Sequence, residues 1–328
     1  GAGFIGHNLA IKLSKKGFDI LIIDSLAVNN YHSIEKNLDN IPNPELSKYI
    51  LDERMYLLKK DSNINLLLHD ARDYHLLCKS ISDFNPNVLI QLAAVSHANR
   101  SNKDPFSTFD NSLRTLENAL DACKKTIDHF IFFSSSMVYG NFETNSVNEN
   151  SNCNPIGIYG ALKLAGEILV KSYGNVFDLP YTIVRPSALY GERCVSRRVG
   201  QVFIENALTN KPITIKGDGS EELDFTYIDD LTNGIALILE NEKSKNQVFN
   251  LTYGKSNSVK KLASILQNNF DDIKISYEDK EPFTPKRGTL DISKARDILG
   301  YKPQNSIEEA YPKYINWYKE IWNNFKSS

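Results

Sequence analysis

The chain has 328 residues, of which 41% are hydrophobic and 24% are charged, a composition typical of a globular protein with two lobes or one large α/β body. Its 38 basic and 40 acidic residues leave a net charge of −2, so bulk charge does not favour nucleic acid as a partner. The four cysteines lie far apart and the six histidines are scattered, which argues against a zinc site and against a small disulfide scaffold. The apolar runs are too short to span a bilayer and no signal peptide is recognisable, so we expect a cytoplasmic protein without a membrane partner.

Short apolar runs alternate with helical patterns through the first two-thirds of the chain. The runs are continuously hydrophobic, which is typical of strands that helices cover on both faces. This order of elements predicts an α/β fold with a doubly wound, mostly parallel sheet. The predicted strands are 18–24, 64–69, 88–94, 129–134 and 181–185, and the predicted helices are 7–16, 73–83, 107–124 and 158–174.

Residues 29–60 form a longer connection than a simple crossover between two strands needs. Pro42 and Pro44 interrupt this stretch, and the amphipathic pattern of residues 45–60 predicts a helix. We interpret the stretch as a surface insertion.

A glycine-rich turn opens the chain, a helical pattern follows it, and Asp24 closes the next strand. Glycines let backbone N–H groups approach a pyrophosphate at a helix N-terminus, and an Asp about twenty residues later can accept from ribose hydroxyls. No Arg or Lys lies in residues 25–30 to receive a 2′-phosphate, which favours NAD over NADP. A flexible glycine-rich N-terminus is the alternative. The predicted cofactor-binding residues here are Gly1, Gly3, Phe4, Ile5, Gly6 and Asp24.

In such a Rossmann-like sheet, a central strand would come immediately before the glycine turn. Without that strand, its two neighbours would be left with unpaired backbone groups. We therefore expect the natural protein to have residues upstream of Gly1, including this first strand.

Tyr159 and Lys163 are four residues apart in a helical pattern, so both side chains project from one face. An ammonium close to the phenol favours the phenolate, which a tyrosine base near neutral pH requires. The same spacing occurs at Tyr56 and Lys60, where no serine accompanies it and where we expect Tyr56 to serve packing. The context of Tyr159 differs, because it follows a strand that ends in three serines, and ligands collect at such strand ends.

The segments FFSSSMVYG (132–140) and YGALK (159–163), together with the glycine turn, resemble the extended short-chain dehydrogenase/reductase family, especially its nucleotide-sugar 4-epimerases. The similarity covers nearly the whole chain, through DARD (70–73), LAAVSHANRSNKDP (92–105), Asn111, GDGS (217–220), DFTYIDD (224–230) and DISKARDILGYKP (291–303). The resemblance implies that Tyr159 is the catalytic base, that Lys163 supports it, and that Ser135 relays the proton and contacts the substrate. Ser136 would be a neighbouring substrate contact.

The resemblance also implies further contacts to NAD. Asp70 and Ala71 would flank the adenine, and Asn111 would support the active-site loop. Each position also has an ordinary structural interpretation, as part of a buried strand end or of a helix. Three residues at one strand end would line the cofactor backbone: Leu92, Ala93 and Ala94.

By this resemblance the reaction is NAD-dependent epimerisation of a nucleotide-linked sugar, at C4, through a transient 4-keto sugar. Family dehydratases place a Glu where this chain has Met137, which cannot transfer protons, so the residue favours an epimerase or a simple dehydrogenase. A nucleotide-sugar 4-ketoreductase or dehydrogenase is the alternative within the enzymes. A non-catalytic NAD-binding sensor or scaffold is the alternative of another class.

Two departures from the family pattern leave the sugar and its nucleotide open. Leu223 stands where an Arg usually meets the diphosphate, and Ala188 replaces an Asn in RPSALYG (185–191). The diphosphate would then depend on other cations, since a guanidinium matches phosphate oxygens in pairs. The candidates are Arg193, Arg197, Arg198 and Arg287, and the alternative is that they are solvated surface charges.

After residue 185 the sequence has more loops and shorter helical and strand patterns, which suggests two regions. We expect a dinucleotide-binding domain over 1–184 and a mainly substrate-binding lobe over 185–328, with some segments returning to the first domain. The resemblance further implies a homodimer that pairs through helices at about 107–124 and 158–174.

Overall fold

The structure is a computed structural model that describes residues 1–28, 30–35, 41, 43–95, 98–280 and 283–327. Fourteen strands lie in these ranges, several of them only two residues long. In chain order they are β1 (Ile20–Asp24), β2 (Ile64–Leu68), β3 (Val88–Gln91), β4 (His129–Phe133), β5 (Ser146–Val147), β6 (Tyr181–Arg185), β7 (Leu189–Tyr190), β8 (Ile213–Lys216), β9 (Glu222–Leu223), β10 (Thr226–Tyr227), β11 (Gln247–Asn250), β12 (Asn257–Ser258), β13 (Ile275–Glu278) and β14 (Thr289–Leu290).

Thirteen α-helices lie in the same ranges, together with a π-helical turn at Asp110–Arg114 and 3₁₀ turns at Ser136–Tyr139 and Glu242–Ser244. The helices are α1 (Phe4–Ser14), α2 (Tyr31–Glu35), α3 (Pro44–Lys60), α4 (Tyr74–Phe84), α5 (Ala98–Lys103), α6 (Pro105–Phe109), α7 (Thr115–Cys123), α8 (Ile158–Phe177), α9 (Val199–Leu208), α10 (Ile228–Leu239), α11 (Val259–Gln267), α12 (Ser293–Leu299) and α13 (Ile307–Ser327).

The main sheet is parallel, with strand order β11-β6-β4-β3, and a second parallel pair joins β1 to β2. Every residue of β4 is buried, which explains its uninterrupted apolar sequence. Ile131 and Phe133 pack on one face of the sheet with residues of α1 and α10. Phe130 and Phe132 pack on the other face with residues of α7 and α8. The prediction of a doubly wound, mostly parallel α/β sheet is therefore confirmed.

The segments after β6 contribute to two different parts of the fold. Strand β11 returns to pair with β6 in the main sheet, and α10 packs against α1. Other segments build a separate core, in which residues of α9, α11 and α13 surround β8. The parallel strands of the main sheet end on the same edge, which is the edge that carries the site described below.

The long connection after β1 contains a helix, as predicted. Helix α3 contributes Leu46, Ile50 and Leu51 to the core built by α9, α11 and α13, and Met55 and Leu58 to a cluster with α1 and β1. The helix is thus packed between two cores and is not a purely superficial insertion. Residue 29, residues 36–40 and Pro42 of this connection lie outside the described residues. None of the helices in the described ranges has the length and the apolar content that a bilayer crossing needs.

Candidate active site

The glycine turn leads directly into α1, whose N-cap Gly3 provides no side-chain hydrogen bond. The N–H groups of the first helical turn therefore have no intrahelical acceptor and can bind an anion. A Cβ on Gly3 would meet no atom within 4 Å, so the turn is open there. A Cβ on Gly6 would collide with the carbonyl oxygen of Gly1, so the turn is closed there. This tight turn with an open side fits a dinucleotide diphosphate, and Phe4 and Ile5 are its first two helical residues.

Asp24 lies at the end of β1, beside the glycine turn. One carboxylate oxygen accepts from the Gly1 amine and from the Ala2 N–H, each at 2.7 Å, and the other accepts from the Leu26 N–H at 2.7 Å. Burial raises the pKa of Asp24, whereas the hydrogen bonds from the Leu26 and Ala2 N–H groups lower it. An ionised carboxylate at this position fits the role of ribose acceptor.

Asp70 and Ala71 follow β2. Arg72 donates to both oxygens of Asp70 and also pairs with Asp110 at 2.5 Å. These hydrogen bonds from Arg72 lower the pKa of Asp70. The Asn118 amide donates to the carbonyls of Ala71 and Arg72, each at 3.0 Å, and so fixes this loop against α7. Asn118 was not predicted, and a polar residue within a helical pattern gave no signal of this role.

The loop after β3 contains Leu92, Ala93 and Ala94. Ala93 offers its carbonyl to Gln91 at 3.3 Å and to Thr115 at 3.2 Å. Asn111 lies in the π-helical turn and donates to the Ser107 carbonyl at 2.8 Å. Such widened turns are frequent at functional sites. Ser96 and His97, which belong to the motif that follows β3, lie outside the described residues.

Ser135, Tyr159 and Lys163 converge at the carboxyl end of β4. The Ser135 hydroxyl lies close enough to the phenol of Tyr159 to lower its pKa, and it accepts from the Met137 N–H at 3.2 Å. The Lys163 ammonium donates to the Phe133 carbonyl at 2.7 Å and lies 6.0 Å from the centroid of the Tyr159 ring. The three groups that the sequence singled out are therefore neighbours in space. Ser136 is buried beside them at the start of the 3₁₀ turn.

The surroundings of these groups shift their protonation. Burial raises the pKa of Tyr159, against the charge of Arg198 and the hydrogen bond from Ser135, which both lower it. Burial also lowers the pKa of Lys163 to about 8, and the charge of Glu167 opposes this shift. The site therefore holds a lysine that can lose its proton near neutral pH, next to a phenol that still needs a positive charge to ionise.

Two contacts that the sequence did not reveal bring Tyr159 to Ser135. The Asn102 side chain accepts from the Ile158 N–H at 3.1 Å and so caps α8 from a distant part of the chain. Gly160 lets the helix approach the 3₁₀ turn, because a Cβ there would lie 2.6 Å from the Met137 carbonyl oxygen. A glycine directly after the tyrosine is the only signal that the sequence offered for this close approach.

The predicted diphosphate cations fall into two groups. Arg198 is close enough to Tyr159 and to Arg287 for its charge to shift the pKa of each, and Arg287 pairs with Glu221 at 3.2 Å. Both Arg198 and Arg287 have a buried Nε without a hydrogen-bond partner in the described part of the chain.

Arg193 and Arg197 form the other group. Arg193 pairs with Glu53 at 3.2 Å and donates to His7 at 3.3 Å, so its guanidinium ties the loop after β7 to α1 and α3. Arg197 is exposed. The structure thus brings Arg198 close to Tyr159, with Arg287 close to Arg198, whereas Arg193 contacts α1 and α3.

The second tyrosine–lysine pair is different from the first. Tyr56 is 62% exposed and the Lys60 ammonium lies 5.8 Å from its ring centroid. The expectation that Tyr56 serves packing was wrong, because its ring lies on the solvent side of α3. This pair is a surface contact.

Comparison with known proteins agrees with the interpretation of the site geometry. The model of the NAD dependent epimerase/dehydratase family matches residues 1–252. The chain belongs to this family. It is 30% identical to a Bacillus subtilis protein named "Uncharacterized UDP-glucose epimerase YtcB", over 98% of this chain and 96% of that protein. It is 28% identical to the dTDP-D-glucose 4,6-dehydratase of Dictyostelium discoideum, over 98% of this chain and 81% of that protein.

A solved structure supports the same assignment at the level of the fold. UDP-glucuronic acid 4-epimerase from Bacillus cereus, in complex with UDP-glucuronic acid and NAD, matches with a TM-score of 0.87 at 28% identity, covering 98% of this chain and 97% of that chain. Membership of the family, expected from the motifs, is confirmed. Because the family includes both epimerases and dehydratases, the choice between them depends on individual residues.

Proposed function

We propose that this member of the family is an NAD-dependent nucleotide-sugar epimerase that inverts C4 through a transient 4-keto sugar. The observation that carries the proposal is the meeting of Ser135, Tyr159 and Lys163 at the carboxyl end of β4. Met137 lies at the position of the dehydratase acid, and its thioether cannot donate a proton to a leaving hydroxyl. We therefore favour epimerisation over dehydration.

The residues at the glycine turn fit NAD. Backbone N–H groups at the start of α1 would bind its diphosphate, Asp24 its adenosine ribose, and the loop at Asp70 and Ala71 its adenine. Leu92, Ala93, Ala94 and Asn111 would line the remaining part of the cofactor. When bound, NAD accepts hydride from the sugar carbon and returns it.

The protein's own groups move the proton and hold the sugar. In this proposal the Tyr159 phenolate takes the proton from the sugar O4 hydroxyl, and Ser135 hydrogen-bonds the same oxygen. Lys163 favours the phenolate by its charge. The 4-keto sugar then turns within the site while its diphosphate stays bound, and Tyr159 returns the proton to the inverted alcohol.

The substrate is a nucleoside diphosphate sugar in this proposal. Arg198 supplies charge beside Tyr159, Arg287 lies close to Arg198, and each has a buried N–H free to donate to a phosphate oxygen. Solved relatives bind UDP-glucuronic acid and NAD, so uridine diphosphate sugars are the first substrates to test.

We further propose a cytoplasmic homodimer. Apolar side chains are exposed on the helices that the family resemblance assigns to the dimer contact, and burying them between two copies would be favourable. They include Phe106 and Phe109 on α6 and Ile168 and Val176 on α8.

The test is conversion of UDP-glucose and UDP-glucuronic acid, followed by NMR of the sugar protons. An epimerase interconverts the 4-epimers with NAD present in catalytic amounts and with no net NADH. A one-way ketoreductase or dehydrogenase consumes cofactor in proportion to product, and that result would contradict the proposal. If the protein binds NAD but turns over neither UDP-sugar, whether NAD is added in catalytic or in stoichiometric amounts, the sensor alternative is favoured.

A further inference from the structure

A buried ionic network lies behind Tyr159 and Lys163, and the reaction described above does not use it. Glu167 lies on α8 one turn after Lys163 and is almost completely buried. Arg185, at the end of β6, donates to both carboxylate oxygens of Glu167, at 2.9 and 2.7 Å. The Ser134 hydroxyl donates to the same carboxylate at 2.5 Å. A single carboxylate thus joins a helix to the ends of two central strands.

The position of Ser134 gives this network its significance. Ser134 lies between Phe133, whose carbonyl accepts from the Lys163 ammonium, and Ser135, whose hydroxyl meets the Tyr159 phenol. Both neighbours of one serine therefore contact the reactive groups. A rotation or shift of the segment at Ser134 would move the lysine acceptor and the serine hydroxyl together.

The carboxylate itself is held firmly. Its two-point contact with Arg185 fixes its plane. Arg185 also donates to the Tyr139 hydroxyl at 2.9 Å, which in turn donates to Asn250 at 2.7 Å. The network thereby extends from α8 through β6 to the end of β11.

We propose that Glu167 is a positioning residue, which acts through the Ser134 hydroxyl to hold Phe133 and Ser135 where Lys163 and Tyr159 need them. This inference rests on the proposed function for its reaction but not for its contacts. The competing interpretation is that the ion pair only stabilises the fold. That interpretation predicts that activity and stability change together.

Ser134→Ala separates the two interpretations, because it removes the tie to the segment and leaves the Glu167–Arg185 pair intact. We expect kcat to fall about tenfold or more, since small displacements of reacting groups are costly, while KM for the UDP-sugar changes less than about twofold. The matched control is Ser80→Ala. Ser80 is also buried and bonds His69 and the Leu76 carbonyl, far along the chain from the site.

The melting temperature of each variant is measured alongside its kcat. A fall in kcat for Ser134→Ala with a melting temperature no lower than that of Ser80→Ala supports the positioning role. The role is refuted if Ser134→Ala keeps kcat within about twofold of wild type, or if both variants lose activity in proportion to stability. If Ser134→Ala does not fold, Glu167→Gln, which keeps the shape of the side chain, is judged by the same split between kcat and KM.

Failure of this inference can be told from failure of the proposed function. Wild-type protein is assayed beside each variant with the same UDP-sugar. An inactive wild type refutes the epimerase proposal, whereas an active wild type with an unaffected Ser134→Ala refutes only the positioning role.

Discussion

The proposed reaction centre and the proposed diphosphate cations differ in how their polar groups are paired. Around Tyr159, polar contacts are short and buried, and backbone carbonyls and neighbouring side chains satisfy them. By contrast, Arg198 and Arg287 each keep a buried N–H that has no partner in the described part of the chain. Buried polar groups in proteins are normally paired, so unpaired donors at a site indicate a place where a ligand supplies the acceptor.

This difference indicates which polar groups of the proposed site are already paired within the protein and which have donors left for a substrate. The reaction centre is preorganised, as groups that must meet a transition state should be. The two arginines each keep a donor without a partner in the described residues, which suits the proposed binding of a diphosphate. The predictions below test both regions, from the largest expected effect to the smallest.

Removing the phenol should give the largest effect. Tyr159→Phe deletes the proposed base without changing the ring, so kcat should fall about a thousandfold or more, within the range of general acid–base contributions. NAD binding, measured by fluorescence quenching or calorimetry, should persist. The control is Tyr56→Phe, which alters the exposed tyrosine of the other tyrosine–lysine pair and should leave kcat unchanged. An active Tyr159→Phe would contradict the assigned chemistry.

Crowding the helix that carries Tyr159 should be next in size. Gly160→Ala would place a Cβ 2.6 Å from the Met137 carbonyl oxygen, so the start of α8 must move away from Ser135. A displacement near 1 Å can cost about a hundredfold in rate, and we expect kcat to fall on that scale. Gly174→Ala is the matched control in the same helix, because its nearest neighbour is the ring of Tyr181, a side chain that can shift. Equal losses of kcat in both variants would show that general destabilisation is responsible.

Much of the first region could be predicted from the sequence, because its strands are continuous apolar runs whose lengths limit the alternatives. The predicted strand at 129–134 is β4 within one residue, and 181–185 is β6. The predicted helix at 107–124 is instead divided into α6, a π-helical turn and α7. Its pattern gave no sign of the division, since a π-turn changes the register without changing the average periodicity.

The residues of the proposed reaction centre could be singled out because they belong to short motifs. The contacts that position it could not, since Asn102, Glu167 and Arg185 act on partners brought close only by folding. At position 188, where the family commonly has an Asn and this chain has Ala188, the structure instead explains the sequence pattern. Ala188 has φ of +37°, towards the left-handed region, which Asn adopts more readily than most residues.

Neutralising the cations should separate the two regions. Arg198→Met should raise KM for the UDP-sugar about tenfold or more with little change in melting temperature, since a charge-assisted hydrogen bond contributes roughly 1.5–3 kcal/mol. Arg193→Met removes a guanidinium that is already paired with Glu53 and His7, so it should lower the melting temperature and leave KM nearly unchanged. The opposite assignment of these two effects would place the diphosphate at Arg193.

Titration of Lys163 should give the smallest effect and should move activity and stability in opposite directions. With its pKa lowered to about 8, the lysine is charged below that pH and loses its proton above it, so kcat should decline on the alkaline side as support for the phenolate is lost. Stability should respond with the other sign. The unfolded chain keeps the proton up to about pH 10.4, so between pH 8 and 10 the unfolded state binds more protons. The cost of burying the charged lysine is therefore relieved, and stability rises, as the pH increases across this range.

Chemical denaturation at pH 8 and pH 10 measures the second effect. Lys163→Met lacks the titrating group, so the difference in unfolding free energy, wild type minus variant, should increase between these two pH values. A constant difference would mean that Lys163 keeps its proton over this range in the folded protein. The reaction centre would then hold its positive charge through the whole alkaline limb, and any loss of kcat there would have to come from another group.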